Sequence, residues 1–206
     1  MSSSGKTSRT KLVKVVLLGD GGVGKSSLMN RFVTNKFDSQ SYHTIGVEFL
    51  NKDITVSNNT YTMQIWDTAG QERFKSLRTP FYRGADCCLL TYSVDDIQSF
   101  KNLTMWKKEF LYYADVQDEE HFPFVVLGNK VDIPERQVSI DDAQIWCNHH
   151  KIPYYETSAK DSTNVQIAFE GAAKRVKEQE EKLDLKSPHA NTVDLNKRLP
   201  KSGSCC

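Results

Sequence analysis

A glycine-rich stretch near the start of the chain has the residue types and spacing of a phosphate-binding loop. Residues 19–26 follow the pattern G-x-x-x-x-G-K-S, in which glycines let the backbone curl and direct successive N–H groups at an anion. Lys25 adds a positive charge for the outer phosphates, and the Ser26 hydroxyl is a candidate Mg²⁺ ligand. The alternative is a chance match on a glycine-rich turn. The residues predicted to contact phosphate are Gly21, Gly22, Val23, Gly24, Lys25, Ser26 and Ser27.

The segments on either side of this loop have the patterns that such a loop requires. Residues 13–18 form an apolar, β-branched run that is typical of a buried strand, and residues 27–35 have helical spacing. The first turn of a helix has unpaired N–H groups and positive dipole character. A strand, a glycine loop and a helix in this order therefore predict an anion site.

A second motif begins where a predicted strand, residues 60–66, ends. Asp67 follows that strand directly, and Gly70 lies in the loop beyond it. A carboxylate in this position can hold Mg²⁺, usually through water, while the glycine can turn its N–H toward a γ-phosphate. The alternative for Asp67 is a strand-end cap without a metal. Combined with the phosphate loop, the pair predicts a site for magnesium and a triphosphate.

A third motif, Asn129-Lys130-x-Asp132, follows the predicted strand over residues 124–127. A carboxylate such as Asp132 can accept two parallel hydrogen bonds from the N1–H and 2-amino groups of guanine, whereas adenine has no such pair of donors. The Lys130 stem can lie over the base, and Asn129 can brace the loops. A turn after the last predicted strand, residues 154–157, can offer an N–H to the guanine O6. That turn consists of Ser158, Ala159 and Lys160.

Length and composition favour one α/β domain followed by a tail. The 206 residues have a net charge of +1, which implies no strong attraction to nucleic acid. The five cysteines form no disulfide framework, which favours a reducing compartment. We see neither a signal peptide at the N-terminus nor an apolar run long enough to span a membrane. We predict a flexible N-terminus over residues 1–10, a domain over residues 11–183 and a flexible tail over residues 184–206.

The remaining segments alternate between strand and helix periodicity. An antiparallel hairpin is predicted from the two strands that flank Asn58-Asn59, because asparagine tolerates a positive φ. A long polar connector, residues 36–46, is typical of a functional loop. The other predicted strands cover residues 11–18, 47–57 and 87–94, the predicted helices cover residues 100–113, 140–149 and 165–183, and one irregular helix is predicted within residues 73–84.

The motifs arrive in the order of a Ras-like small GTPase, which this chain resembles over about residues 11–182. Residues 45–49 (IGVEF), 66–74 (WDTAGQERF) and 81–85 (FYRGA) are similar to the Rab branch. Residues 51–53 (NKD), 122–124 (FPF) and 135–138 (ERQV) are most similar to its late-endosomal Rab seven and Rab nine members, with Rab nine closer. The resemblance implies an α/β fold: a P-loop NTPase G domain whose six-stranded, mostly parallel mixed sheet has helices on both faces.

The resemblance also implies that the ligands are GTP and GDP, the cofactor is Mg²⁺ and the activity is hydrolysis of GTP. Residues 36–46 would be switch I and residues 67–82 switch II. Phe37 would pack edge-on against guanine, while Thr44 would contact Mg²⁺ and the γ-phosphate in the GTP state only. Gln71 would orient the attacking water, and Lys25 would stabilise the developing charge. The implied metal ligands are Ser26, Thr44 and Asp67.

An effector surface between the two switches follows from the same resemblance. It would include Ile45 and an aromatic triad of Phe49, Trp66 and Phe81. The third position of this triad is often Tyr in Rabs, so Phe81 places a contact through that hydroxyl in doubt. The alternative for the triad is ordinary core packing. Phosphorylation of Ser76 or Thr79 in switch II is also open.

The resemblance implies geranylgeranyl groups on Cys205 and Cys206 at the end of the tail, although the ending is not a C-a-a-X sequence. The implied partners are an exchange factor, a GTPase-activating protein, a GDP-dissociation inhibitor, a Rab escort protein and effectors. The implied location is the cytoplasmic face of late endosomes and the trans-Golgi network, with a cytosolic pool in the GDP form. No nucleic-acid partner is expected.

Three alternatives to a Rab switch in transport from late endosomes to the trans-Golgi network stay open at this point. The chain could act elsewhere in late-endosomal or lysosomal traffic, or it could be a nucleotide-locked scaffold without useful hydrolysis. Gln71 and Gly21 argue against the scaffold, because the water-orienting residue is present and no side chain obstructs it. A P-loop kinase or ATPase is the third alternative, and the guanine-reading Asp132 argues against it.

Overall fold

A sheet of six strands forms the centre of the structure, a computed structural model that describes residues 10–39, 44–56 and 59–186. The strands are β1 (Lys11–Leu18), β2 (Val47–Val56), β3 (Asn59–Thr68), β4 (Cys87–Ser93), β5 (Phe124–Asn129) and β6 (Tyr154–Thr157). The α-helices are α1 (Lys25–Thr34), α2 (Lys75–Arg78), α3 (Ile97–Lys101), α4 (Leu103–Ala114), α5 (Ile140–His149) and α6 (Val165–Lys186). Two 3₁₀ turns, Glu72–Phe74 and Thr79–Phe81, flank α2.

The strand order in the sheet is β2-β3-β1-β4-β5-β6. Strands β2 and β3 pair antiparallel from Val47 opposite Thr68 to Val56 opposite Asn59. All other neighbouring strands run parallel. The predicted six-stranded, mostly parallel sheet is thereby confirmed, and so is the antiparallel hairpin, although part of its turn, residues 57–58, lies outside the described residues.

Two apolar layers, one on each face of the sheet, bury the central strands. Successive side chains of a strand point to opposite faces, so Val15 and Leu17 of β1 join one layer while Val16 and Leu18 join the other. Helices α1 and α6 cover the first layer, and α4 and α5 cover the second. Strands buried on both faces have near-continuous apolar sequences, which is why β1, β4 and β5 were recognisable.

The helix predicted over residues 100–113 is wrong in its extent and continuity. The structure has two segments, α3 and α4, with Asn102 between them. The first segment begins earlier than predicted because the Asp96 side chain caps it, accepting hydrogen bonds from the N–H groups of Gln98 and Ser99. The irregular helix predicted within residues 73–84 consists of the short helix α2 and the two 3₁₀ turns beside it, which together end at Phe81.

The carboxyl ends of β1, β3, β5 and β6 lie at one edge of the sheet, because these strands run parallel across it. Ligands of open α/β sheets bind at this edge. The phosphate loop follows β1, Asp67 is the second-to-last residue of β3, Asn129 ends β5, and Ser158 follows β6. Parallel pairing therefore collects all the predicted motifs. None of the helices in the described ranges is long and apolar enough to cross a bilayer.

Candidate functional site

A cavity of about 350 Å³ lies at this edge of the sheet. Of the residues predicted to contact nucleotide or metal, all but Val23, Asp67 and Ser158 line it. Those three are buried directly behind the lining. The predicted residues that line the cavity are Gly21, Gly22, Gly24, Lys25, Ser26, Ser27, Phe37, Thr44, Gly70, Gln71, Asn129, Lys130, Asp132, Ala159 and Lys160.

Three further lining residues, Asp38, Ser39 and Ile133, were missed in the sequence. Asp38 and Ser39 belong to the connector, residues 36–46, that was predicted to be a functional loop, and Ile133 directly follows Asp132. Asp38 and Ser39 extend the cavity wall beyond Phe37, whose half-exposed ring lies 6.0 Å from the Arg31 guanidinium carbon. Residues 40–43 of switch I lie outside the described residues.

The phosphate loop is braced by Asn129, the last residue of β5. Gly24 has a left-handed φ of 94°, and a Cβ added to it would lie 2.4 Å from the Asn129 Nδ2. That Nδ2 donates a 2.9 Å hydrogen bond to the Val23 carbonyl. This hydrogen bond is a direct contact through which Asn129 can brace the phosphate loop, as predicted. Helix α1 begins at Lys25 without a side-chain cap, so its first N–H groups face the cavity free of side-chain acceptors, as an anion requires.

Lys25 is buried and held by backbone carbonyls. Its Nζ donates hydrogen bonds of 2.8 Å to the carbonyl oxygens of Gly19 and Asp20. Burial lowers the pKa of Lys25 to about 8, while the Asp67 and Asp20 carboxylates act in the opposite direction. An incoming phosphate would supply the negative charge that favours the protonated amine.

The predicted metal ligands converge on one carboxylate. The Ser26 Oγ lies 2.5 Å and the Thr44 Oγ1 3.1 Å from the Asp67 Oδ2. The two hydroxyl oxygens are 2.8 Å apart. Asp67 is fully buried, its Oδ1 has no hydrogen-bond partner among the described residues, and burial raises its pKa. Hard oxygen ligands around an unsatisfied buried carboxylate fit Mg²⁺, so these residues are suited to hold that ion with a triphosphate.

Replacing Asp67 with Asn is expected to abolish most of the effect of Mg²⁺ on nucleotide retention, because the amide keeps the shape but loses the charge. Release of a fluorescent GDP in Mg²⁺ should accelerate about 10- to 100-fold, while release in EDTA should match the unmodified chain within about threefold. Asp86→Asn is the control, because Asp86 is a partly buried acid whose burial raises its pKa, as for Asp67, but it accepts from the Lys14 N–H away from the cavity. Mg²⁺-dependent retention that survives in Asp67→Asn would contradict this metal assignment.

Switch II lies against the phosphate loop at Gly70. A Cβ at this position would lie 2.4 Å from the Asp20 carbonyl carbon and from the Gly21 nitrogen. Gly21 in turn faces Gln71, whose Cγ is 3.4 Å from where a Gly21 Cβ would be. The Gln71 Oε1 accepts a 2.7 Å hydrogen bond from the Arg73 Nε. No arginine lines the cavity within the described ranges.

Asp132, the acid predicted to read the base, is positioned by the turn after β6. The Ser158 Oγ donates a 2.6 Å hydrogen bond to the Asp132 Oδ1, and the Lys160 Nζ is 3.7 Å from the Asp132 Oδ2. The Ala159 N–H, one of the donors considered for guanine O6, lies 3.3 Å from the Asn129 Oδ1. The buried Ser158 therefore orients the Asp132 carboxylate from behind the cavity wall.

The aromatic triad forms one continuous surface between the switches. The Trp66 ring centroid is 4.8 Å from that of Phe49 and 5.3 Å from that of Phe81. Phe49 is 49% and Phe81 37% exposed, and the nearby Ile45 is 77% exposed. This exposure argues against the alternative of ordinary core packing. An exposed apolar surface of this kind is typical of a protein-binding site.

Comparison with known proteins agrees with this geometry. The sequence model of the Ras family matches residues 14–178. The chain is 65% identical over 199 residues to Ras-related protein Rab-9A of Homo sapiens. The aligned region covers 96% of this chain and 98% of that relative. It is 66% identical over 199 residues to Ras-related protein Rab-9B of Mus musculus, with the same coverage of both chains.

Proposed function

This chain belongs to the Ras family, in its Rab branch, and we propose from that premise that it regulates vesicle traffic between late endosomes and the trans-Golgi network. It is a GTP hydrolase that binds GTP or GDP with Mg²⁺. Family membership removes the alternative of a P-loop kinase or ATPase. The observation that carries the proposal of a switch is the cluster of Ser26, Thr44 and Asp67, which brings switch I to the metal site.

The side chains and backbone of this cavity would promote hydrolysis by positioning and by charge stabilisation, which phosphoryl transfer to water needs more than covalent chemistry. Lys25 and the loop N–H groups would hold the β- and γ-phosphate oxygens, and Gln71 would orient the attacking water. Bound Mg²⁺ would supply further positive charge beside those oxygens. Since no arginine lines the described cavity, intrinsic hydrolysis should be slow, about 10⁻⁴ to 10⁻³ s⁻¹, and a partner's arginine could raise it about 10⁵-fold.

Loss of the γ-phosphate would release both switches. In the present arrangement, Thr44 contacts the metal-site residues and Gly70 lies against the phosphate loop, which is the arrangement that the resemblance implied for the GTP state. After hydrolysis these two residues would lose the γ-phosphate as a partner, and the loops that carry them would relax. In the triad, Phe49 lies on β2, Trp66 on β3 and Phe81 in switch II. Effectors that bind this surface would therefore distinguish the GTP form from the GDP form.

The tail would determine location through lipid. Cys205 and Cys206 lie outside the described residues, and we propose from the family resemblance that both carry geranylgeranyl groups. Two such chains would anchor the protein durably, whereas one would do so only marginally. Residues 184–206 have four basic and two acidic side chains, too weak a charge to bind anionic lipid alone. A late-endosomal and trans-Golgi location, with a cytosolic pool in the GDP form, fits this anchor.

The proposed partners follow from the cycle. An exchange factor would reload GTP, a GTPase-activating protein would supply the missing arginine, and effectors would bind the GTP form. An escort protein would present the tail for lipidation, and a GDP-dissociation inhibitor would extract the lipidated GDP form from membranes. No part of this cycle requires nucleic acid.

Replacing Gln71 with Leu is expected to slow single-turnover GTP hydrolysis at least about tenfold, because the attacking water loses its orienting amide. The GTP-loaded variant should also capture effector proteins from cell extract that its GDP form does not capture. Gln144→Leu on the exposed face of α5 is the control and should behave like the unmodified chain. If the GTP and GDP forms capture the same proteins, the nucleotide-locked scaffold becomes the better interpretation.

A further inference from the structure

Arg78 in switch II is buried, although arginine side chains are seldom buried unless they are paired. It is 1% exposed and faces Glu109 of α4, which is 8% exposed. The other buried charged residues of the described ranges, Lys25 and Asp67, belong to the phosphate and metal sites. Because desolvation can cancel the attraction within a buried ion pair, stability alone is a weak explanation for this one.

The guanidinium group of Arg78 is fixed by helix α4 and by Tyr82. Its Nε and Nη2 donate hydrogen bonds of 3.1 and 3.2 Å to the two carboxylate oxygens of Glu109. The Tyr82 hydroxyl donates a 3.0 Å bond to the same carboxylate. The guanidinium carbon also lies 4.5 Å from the Trp106 ring centroid. Two parallel hydrogen bonds and a stacked ring leave the plane of this group little freedom.

The remaining nitrogen of the guanidinium contacts the backbone around Gly70. The Arg78 Nη1 donates a 2.8 Å hydrogen bond to the Gln71 carbonyl and lies 3.4 Å from the Ala69 carbonyl oxygen. The Ala69 carbonyl and the Gly70 N–H belong to one peptide group, and in a trans peptide they point in opposite directions. A donor on the carbonyl side therefore directs the Gly70 N–H away from Arg78.

Helix α4 and the residue before it, Asn102, hold the phosphate loop as well. The Trp106 Nε1 donates a 2.6 Å hydrogen bond to the Asp20 Oδ1, and the Asn102 Nδ2 donates a 2.7 Å bond to the Asp20 Oδ2. Asp20 is also the residue whose carbonyl carbon lies against Gly70. One helix thus positions both sides of the contact between the phosphate loop and switch II.

We propose that Arg78 is a positioning residue for GTP hydrolysis. Anchored by Glu109, it holds the Ala69–Gly70 peptide and the Gln71 backbone in the orientation that meets the γ-phosphate and the attacking water. The inference rests on the roles given to Gly70 and Gln71 in the proposed function. Because GDP has no γ-phosphate, positioning by Arg78 should affect GTP affinity and GTP hydrolysis but not GDP affinity.

The test compares Arg78→Lys with the unmodified full-length chain. A lysine retains the charge but cannot bond both Glu109 oxygens and reach the Gln71 carbonyl as well. Single-turnover hydrolysis should fall about 10- to 30-fold, and GTP affinity relative to GDP should fall about fivefold. Mg²⁺-dependent GDP release should stay within about twofold. A purely structural role would change GDP retention together with hydrolysis, and that outcome would overturn the inference.

A second variant, Glu109→Gln, tests the anchor without removing Arg78. It keeps the side-chain shape and one acceptor, so hydrolysis should fall about 3- to 10-fold. It also decides the matter if Arg78→Lys does not fold, since a normal hydrolysis rate in Glu109→Gln would refute the anchoring. Combined with Arg78→Lys it should add less than its separate effect, because both changes act on one contact.

The matched control is Arg136→Lys. Arg136 forms a similar two-bond pair with Glu156, at 2.7 and 3.2 Å, and lies outside the cavity lining. The Arg136→Lys variant should hydrolyse GTP at a rate within about twofold of that of the unmodified chain. Failure of the unmodified chain to hydrolyse GTP would refute the proposed function, whereas normal hydrolysis by Arg78→Lys beside an active, Gln71-dependent unmodified chain would refute this inference alone.

Discussion

Replacing Asp132 with Asn is expected to change the base preference of the cavity from guanine to xanthine. The Ser158 hydroxyl donates to the Asp132 Oδ1, so the new amide should keep its oxygen toward Ser158 and turn its NH₂ to the base. That NH₂ would oppose the 2-amino group of guanine, donor against donor, but would match the 2-carbonyl of xanthine. Because unpaired polar groups in a binding site are strongly rejected, the ratio of GTP to XTP affinity should fall about 10³- to 10⁴-fold.

Competition of GTP, XTP and ATP against a fluorescent GDP measures this change directly. Asp161→Asn is the control, because Asp161 is an exposed acid close to Ser158 but outside the cavity lining. The variant chain should retain its fold and its Mg²⁺ dependence with xanthine nucleotides. Unchanged GTP affinity in Asp132→Asn would show that another group reads the base.

Replacing Gly70 with Ala is expected to block the GTP-state arrangement of switch II while leaving GDP affinity within about threefold. The added Cβ would lie 2.4 Å from two backbone atoms of the phosphate loop, so no side-chain rotation can relieve the contact. Gly70 does not have a left-handed φ, so the effect comes from this contact and not from backbone strain. Single-turnover hydrolysis should fall about 100-fold or more, because the Gly70 N–H and Gln71 move away together.

Gly84→Ala separates this clash from a general effect of adding a methyl group. Gly84 has a φ of 70° with nothing within 4 Å of the added Cβ, so alanine there adds backbone strain of about 1 kcal/mol without a collision. It should lower thermal stability slightly and leave hydrolysis unchanged. Hydrolysis by Gly70→Ala at the rate of the unmodified chain would mean that switch II does not need to touch the phosphate loop.

The chemistry of the nucleotide site could be predicted from the sequence because its determinants are local. The phosphate loop, the strand before it and the helix after it are contiguous, and their residue types follow from backbone geometry within a few residues. The family that these motifs resemble was confirmed, and so were the mixed sheet and the cofactor class that the resemblance implied. The roles of the individual site residues and the lipidation of the tail stay predictions. The mutations above test the roles of the site residues.

Local pattern was insufficient wherever a boundary depends on a neighbour in space. The predicted helix over residues 100–113 was wrong because Asp96 caps an earlier start and because the side chain of Asn102, at the break between α3 and α4, bonds Asp20 of the phosphate loop. Apolar spacing identifies the face of a helix that is buried but not the polar partners that interrupt it.

By itself, the sequence determined the family, the mixed α/β sheet and the class of ligand and cofactor, since the motifs that indicate them are each read from residues close together in the chain. Only the tertiary structure decided that Asp67 is fully buried with one carboxylate oxygen unsatisfied. It alone also decided that Arg78, in a polar segment, is buried against Glu109 of another helix. The physical reason is that burial and charge pairing depend on which distant segments pack together, and residue spacing along the chain does not specify that packing.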